Sequence, residues 1–365
     1  MARKLKFKSN IAARQPGLFD ISELCNDSTE IPVHPSIDTF IATHISSKKM
    51  NSATSATTGG FNSDDCSADY DSMELDTSSL QKSSALLFLS FGSGSSGNCA
   101  YIGSREAGIL IDAGVDPATV RDALRDNGFK TDCIKGICLT HDHSDHVRYV
   151  YQMVRKHPEI GIYCTPKTLN GMLRRHSISR RIKDYHRPIY KEFPFKVGQL
   201  EITAFDVSHD GTDNAGFFIT CGNHRFAIAT DLGCITPRVD HYMRQAQYMM
   251  LESNYDADML HNGTYPRYLQ ARIEADHGHL DNTVTADFLA SCYTPSLTHV
   301  FLCHLSKDNN TPEIALRQSR NALYKAGAAG VGDGSDSIES RDMPIQLVAL
   351  PRYGASQLFI LRANV

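Results

Sequence analysis

The chain has 365 residues and a mass of 40.4 kDa, enough for one large domain or two ordinary ones. With 41% apolar and 21% charged residues it sits near the globular average, which excludes collagen-like, fibrous and wholly disordered chains. The net charge of −4 argues against a surface coated for nucleic acid as a whole, although the charge is unevenly spread. No apolar stretch approaches the ~18–20 residues that span a bilayer. The opening Met1-Ala2-Arg3-Lys4 is followed by no apolar export core, so the expectation is a cytoplasmic protein with no membrane association. Ten cysteines contain no Cys-x-x-Cys pair, and several, such as Cys138, Cys221 and Cys303, lie in apolar runs; they read as reduced core thiols.

In chain order, residues 1–84 read as a flexible, disordered extension. From His44 to Ser84, 15 of 41 residues are Ser or Thr, with acidic residues added, too little apolar surface to offset the entropy of ordering. A folded domain is expected over 85–365. Strands are predicted at Leu86–Phe91, Cys99–Ile102, Gly108–Ile111 and Ile134–Leu139, with a Gly/Ser turn at 92–98 and a helix near Pro117–Asp126. Later strands are expected at 200–207, 215–221, 225–230, 247–251, 298–303, 345–349 and 357–361, and helices at 145–156, 265–275, 282–291 and 311–325. Hairpin-like runs that give way to strand–helix alternation, roughly twice over, imply an α/β protein with αββα layering.

The most informative stretch is Thr140-His141-Asp142-His143-Ser144-Asp145-His146, directly after an apolar strand. In extended chain His141 and His143 point the same way. Ser144 as an N-cap would set Asp145 and His146 on the first turn of a following helix. One loop thus offers metal ligands in two directions.

This His-x-His-x-Asp-His pattern resembles the metallo-β-lactamase superfamily, and the other motifs of that superfamily follow in order. Asp112 closes Leu110-Ile111-Asp112-Ala113-Gly114; His209 stands in Val207-Ser208-His209-Asp210; Asp231 in Ala229-Thr230-Asp231-Leu232-Gly233; and His304 follows an apolar strand. The resemblance implies a four-layer αββα sandwich holding two divalent ions. His141, His143 and His209 would hold one, Asp145, His146 and His304 the other, with Asp231 bridging and Asp112 supporting a ligand. Imidazole and carboxylate donors suit Zn²⁺, Mn²⁺ or Fe²⁺ alike. Such a centre hydrolyses its substrate with metal-bound hydroxide, and Asp145 would also orient the water or take its proton.

Four further stretches narrow the resemblance to the YycJ (WalJ) group, bacterial proteins of this fold regarded as DNA exonucleases. They are Ser93-Gly94-Ser95-Ser96-Gly97-Asn98, Leu251-Glu252-Ser253-Asn254, His277-Gly278-His279-Leu280, and the run from His304 to Asn310. The resemblance covers about 86–365 and departs from the group's pattern at Tyr255 and Asp281, where it has His and Ser. Only 72 residues separate Asp231 from His304, too few for the inserted domain of β-CASP nucleases. By the resemblance His279 is a catalytic candidate that grips the scissile phosphate or protonates the leaving oxygen, with an extra metal ligand or a structural histidine as the other readings. Asn254 is a weaker candidate for substrate contact.

Charge distribution points the same way. Between Val147 and Leu200 there are 12 Lys and Arg against 3 Asp and Glu. Arg174, Arg175, Arg180, Arg181 and Lys183 read as a surface tracking a phosphate backbone, with a solvated helix face as the plainer alternative. In the extension, Gln15-Pro16-Gly17-Leu18-Phe19 fits the loose Gln-x-x-Leu-Phe pattern by which bacterial repair proteins dock on a sliding clamp, so Gln15, Leu18 and Phe19 are docking candidates. The reading is a metal-dependent phosphodiesterase, a DNA exonuclease acting in DNA repair. Its rivals are a small-molecule ester, thioester or lactam hydrolase, indifferent to loss of Arg180 and Arg181, and a non-enzymatic metal-binding regulator.

Overall fold

The computed structural model describes residues 85–363. The Gln15–Phe19 docking motif and the extension expected over 1–84 lie outside them.

Two mixed sheets form the centre. The first contains β1 (Leu86–Gly92), β2 (Cys99–Gly103), β3 (Gly108–Ile111), β4 (Ile134–Cys138), β5 (Gly161–Cys164) and β6 (His186–Pro188). The second contains β7 (Phe195–Val197), β8 (Leu200–Asp206), β9 (Ala215–Cys221), β10 (His224–Ala229), β11 (Tyr248–Glu252), β12 (His299–Cys303), β13 (Val331–Gly332) and β14 (Ile345–Ala349). The last strand, β15 (Phe359–Leu361), returns to the first sheet and pairs with β1, giving the orders β15-β1-β2-β3-β4-β5-β6 and β13-β14-β12-β11-β10-β9-β8-β7. Each sheet starts with antiparallel neighbours and continues in parallel, from β3 onward in one and from β10 onward in the other. That is the twofold rhythm expected from the sequence. The parallel strands are continuous apolar runs because both faces are covered; β3 and β11 are buried at every position.

Three apolar layers account for the sandwich. Phe88, Phe226 and Phe301 pack between the sheets, with ring centroids 4.4 Å apart for Phe88–Phe301 and 6.0 Å for Phe226–Phe301. Helices α1 (Pro117–Asp126), α2 (Ser144–Val147), α3 (Val150–Lys156) and α4 (Pro166–Arg175) cover the first sheet through Leu124, Val150, Val154 and Met172. The second is covered by α5 (Pro237–Met243), α8 (Asn282–Cys292) and α9 (Pro312–Lys325), through Val239, Leu289 and Leu323. Shorter helices, α6 (Ala257–Asn262), α7 (Arg267–Glu274) and α10 (Ile338–Arg341), lie in the connections. The four-layer αββα arrangement is as expected.

Three local expectations are corrected. The helix expected over 145–156 is two helices, because the Tyr149 N–H donates to the Ala113 carbonyl (2.9 Å) rather than within the helix. Ser144 is the first helical residue and His143 the N-cap, with no side-chain capping bond, although Asp145 and His146 still fall on the first turn. Cys221 is only partly buried, whereas Cys138 and Cys303 are core thiols; all three are free. No helix among the described residues is long and apolar enough to cross a membrane.

Candidate metal centre

Every candidate ligand leaves the chain at the end of a strand. Asp112 follows β3, the 141–146 loop follows β4, His209 follows β8, Asp231 follows β10 and His304 follows β12. Parallel strands present their carboxyl ends along one edge, which gathers segments far apart in sequence into one cleft. Two of these residues hold the left-handed backbone region that side chains avoid, Asp112 at φ +61° and His304 at φ +53°. Gly114 lets the strands close up. A Cβ there would lie 1.5 Å from the Asp145 carbonyl oxygen, so the turn after Asp112 can pack under the metal loop only as glycine.

The clustered donors form overlapping groups whose ligand atoms lie within 4.8 Å of one another: His141–His143–His209, Asp145–His146–His304, and His141–His146–Asp231. Asp231 also groups with His304, Glu252 and His279. It stands between the two sets, 3.3 Å from His146 Nε2, 3.3 Å from His304 Nδ1 and 3.9 Å from His209 Nε2. Three buried atoms here, His141 Nε2, His304 Nε2 and Asp231 Oδ2, have no hydrogen-bond partner among the described residues. Polar atoms left unpaired in a dry site cost roughly 1–3 kcal/mol each. Their convergence therefore fits cations, and a His/Asp donor set suits a divalent transition metal.

The partners of each imidazole fix which nitrogen faces inward. Thr140 Oγ1 donates to Asp112 (2.9 Å) and accepts from His141 Nδ1 (3.0 Å), leaving His141 Nε2 free. His209 Nδ1 donates to the Gly278 carbonyl (2.9 Å) and His146 Nδ1 to Asp112 (2.7 Å). His304 Nδ1 lies 2.9 Å from Glu252 Oε1. Asp112 is thus the supporting residue the resemblance implied, with its carboxylate on a ligand's outer nitrogen.

Electrostatics separate the two sets. Burial pushes His141 well below the usual imidazole range, with neighbouring His146 adding to the effect, and burial with His209 lowers His143 to about 4. Burial also lowers His209. Burial works the same way on His146, but Asp231 and Asp112 outweigh it and lift that ring to about 9. Asp231 and Asp145 likewise lift His304 well above its ordinary value against burial. Burial alone would raise the Asp231 carboxyl; His304, His146, His141 and His209 hold it well below the carboxylate range instead.

Sequence reasoning assigned no role to Glu252, the buried last residue of β11. Its carboxylate accepts from the Leu232 N–H (2.9 Å) and pairs with both His304 Nδ1 and His279 Nδ1 (2.7 Å). The available signal was an acid closing an apolar strand in Leu251-Glu252-Ser253-Asn254. Asn98, from the Gly/Ser loop, lies 3.2 Å from Asp145 Oδ2 and 2.9 Å from His146 Nε2, and Ser93 Oγ accepts from the His304 N–H (2.9 Å). Asp142 also went unassigned; it accepts from the Thr212 N–H (2.9 Å) and Oγ1 (2.6 Å), tying the 141–146 loop to the one that carries His209.

His279 lines a cleft of about 200 Å³ beside the donors, with Ser95, Asp210, Asn254, Tyr265, Arg272 and Ser306. The Asn254 side chain donates to the His304 carbonyl (2.7 Å) and Glu252 (3.2 Å), so its NH₂ group shapes the centre. Arg174 and Arg175 end α4, and Arg175 reaches Asp142 Oδ1 at 3.5 Å. Arg180, Arg181 and Lys183 lie on an exposed 3₁₀ turn, 180–185. Tyr255 and Asp281 pair with each other across an isolated parallel bridge, and Asp281 caps α8.

The family described as the β-lactamase superfamily domain matches residues 108–304, and the chain belongs to it. With this fold and donor set it is a metal-dependent hydrolase. Within that class it is 32% identical to "Exodeoxyribonuclease YycJ" of Bacillus anthracis, over 68% of this chain and 92% of the relative. It is 30% identical to "Exodeoxyribonuclease WalJ" of Streptococcus pneumoniae, over 66% and 88%. Among solved structures, the metallo-β-lactamase fold protein YhfI of Bacillus subtilis superposes with a TM-score of 0.53 at 12% identity, covering 74% of this chain and 99% of that one, a likeness of fold.

Proposed function

We propose that the protein is a DNA exonuclease that cleaves phosphodiester bonds at a dinuclear centre and acts in DNA repair. The observation that carries this is Asp231, whose carboxylate stands between an imidazole set and an imidazole–carboxylate set. Two divalent ions, Zn²⁺, Mn²⁺ or Fe²⁺, would activate water for attack and neutralise charge on the phosphoryl oxygens. The chain's own part is to place donors and move protons. His141, His143 and His209 offer lone pairs at neutral pH because burial keeps them unprotonated. Asp145, held ionised against burial by His146, is placed to orient the attacking water and accept its proton.

Burial would lower His279, but Glu252 raises it, so the ring is poised to protonate the leaving oxygen. The basic run supports a nucleic-acid substrate: Arg175 contacts the loop that carries His141 and His143, and Arg174, Arg180, Arg181 and Lys183 are exposed along the same segment. The names of the relatives favour DNA. Docking of Gln15, Leu18 and Phe19 on a sliding clamp is a separate proposal, tested by loss of clamp binding in Phe19→Ala.

The test is digestion of 5′- and 3′-labelled linear DNA by purified protein with Mn²⁺ or Zn²⁺, beside Asp145→Ala. Metal-dependent shortening from one end, absent in the variant, is the expected result. Folded, metal-loaded protein that leaves both labels intact would overturn the reading.

A further inference from the structure

The connection between β6 and β7 does something its composition does not require. In Ile189-Tyr190-Lys191-Glu192-Phe193, the Tyr190 and Phe193 rings are 61% and 69% exposed. Among the described residues no other two large exposed apolar side chains lie so close in sequence. Single exposed rings are ordinary, but two on one tight turn call for a cause.

The turn is held rigidly. Ile189 N–H donates to the Cys164 carbonyl (3.2 Å), Glu192 N–H to Ala204 (2.8 Å) and Phe193 N–H to Tyr190 (3.2 Å). Glu192 sits at φ +69°, a conformation that costs a non-glycine residue energy, and its carboxylate is drawn away to Tyr242 Oη (2.8 Å) and Arg238. Lys191, between the rings, pairs with Asp206 and Asp213, each at 2.6 Å. Asp213 follows Thr212, whose N–H and hydroxyl are bound by Asp142 between the metal-loop histidines. One ion pair and one side-chain contact therefore connect the aromatic turn to the loop of His141 and His143. Just before it in the chain come Arg180, Arg181, Lys183 and Arg187, all exposed.

We infer that Tyr190 and Phe193 form a base-stacking platform beside the metal centre, which holds unpaired bases of a single-stranded nucleic acid while the neighbouring cations track its phosphates. This rests on the nuclease reading above. Every base offers a π-face, so rings next to a run of exposed cations bind single strands with little regard to sequence, whereas a paired duplex keeps its base faces stacked internally. The charge of the segment fits a polyanion, and the strained, anchored turn means that little ordering entropy is lost on binding.

The experiment compares full-length wild type with the Tyr190→Ala/Phe193→Ala double variant. Binding is read with a fluorescent phosphorothioate oligothymidylate and with its abasic counterpart of equal length, at several salt concentrations. Hydrolysis of bis(4-nitrophenyl) phosphate serves as the readout of the centre. The variant should lose about ten-fold or more in oligothymidylate affinity, fall to the wild-type level for the abasic chain, and keep the wild-type salt slope and diester hydrolysis. Unchanged oligothymidylate affinity, or an equal loss for the abasic chain, overturns the platform while leaving the nuclease reading in place. Wild-type protein that hydrolyses the diester yet binds neither oligonucleotide overturns both. Should the double variant lose binding to anionic lipid vesicles but not to oligothymidylate, the rings belong to a membrane contact and the platform is likewise overturned.

Discussion

The two halves of the metal centre use the same imidazole donor in opposite electrostatic settings. His141 and His209 turn their outer nitrogens to a hydroxyl and a carbonyl, neutral groups, and burial keeps both rings unprotonated. His146 and His304 turn theirs to the buried carboxylates of Asp112 and Glu252, and both rings are pushed up despite burial. A carboxylate behind an imidazole raises its basicity toward a cation, yet it also holds a proton when no cation is there. If each half takes an ion, as the dinuclear proposal has it, the first would bind without losing protons and the second would exchange protons for its ion.

The hardest blow to this contrast is removal of the group both halves share. Asp231→Ala should lower hydrolysis roughly a thousand-fold or more and reduce bound metal per chain, measured by elemental analysis of folded protein. If the variant keeps both its metal content and its rate, Asp231 does not bridge. Next in size are the supporting carboxylates. Glu252→Gln should weaken metal binding in the second half about 10- to 100-fold and leave the first half's affinity near wild type, whereas Asp112→Asn, which also loosens Thr140 against His141, should weaken the second half more than the first. An equal loss at both ions in competition titrations would mean that the halves are not supported separately.

A smaller effect follows from the protonation difference. His143, at about 4, is unprotonated throughout the neutral range, so affinity for the first ion should be nearly flat from pH 6 to pH 8. His146, at about 9, must lose a proton before it can ligate, so affinity for the second ion should fall as pH drops and rise toward pH 9. The expected slope approaches ten-fold per pH unit for each proton displaced. Calorimetric titration in buffers of differing ionisation enthalpy counts those protons. Equal release at both ions would break the comparison.

How much of this was legible in the sequence follows from where the information sits. Long buried strands and the motifs that close them could be read directly, because an apolar run ending in His or Asp carries its own signal: β3 with Asp112, β4 with the 141–146 loop, β12 with His304. The region 157–199 could not. Its strands β5, β6 and β7 are three or four residues long, and α4 buries only the short face of Thr168, Leu169, Gly171 and Met172 while Lys167, Arg174 and Arg175 stay exposed, so the cations were visible and the elements were not. The break between α2 and α3 depends on the Ala113 carbonyl, some 36 positions away from Tyr149, which no local pattern records. Glu252 was hidden because a lone acid at a strand end looks like a solvated terminus. Only the fold brings His279 and His304 onto it.

His143 sharpens the comparison, since it is the one member of the first half with a carboxylate behind it. Its Nε2 lies 3.3 Å from Asp210 Oδ1, while its Nδ1 lies 3.3 Å from His209 Nε2. If a carboxylate neighbour alone set the difference between the halves, His143 should resemble His146; instead burial and His209 bring it to about 4. The Asp210 side chain is 30% exposed and its other oxygen, Oδ2, is engaged by Arg272 at 2.9 Å, so its charge is partly neutralised before it reaches His143. Asp112 and Glu252 are shut off from water, and among the described residues no arginine pairs with them. Asp210→Asn should therefore weaken the first ion by about five-fold or less, in keeping with a screened ion pair. Arg272→Ala, which frees Asp210 for His143, should shift that ion's affinity slightly toward pH dependence. A loss in Asp210→Asn as large as in Glu252→Gln would show that the presence of a carboxylate, rather than its burial, decides how each half binds.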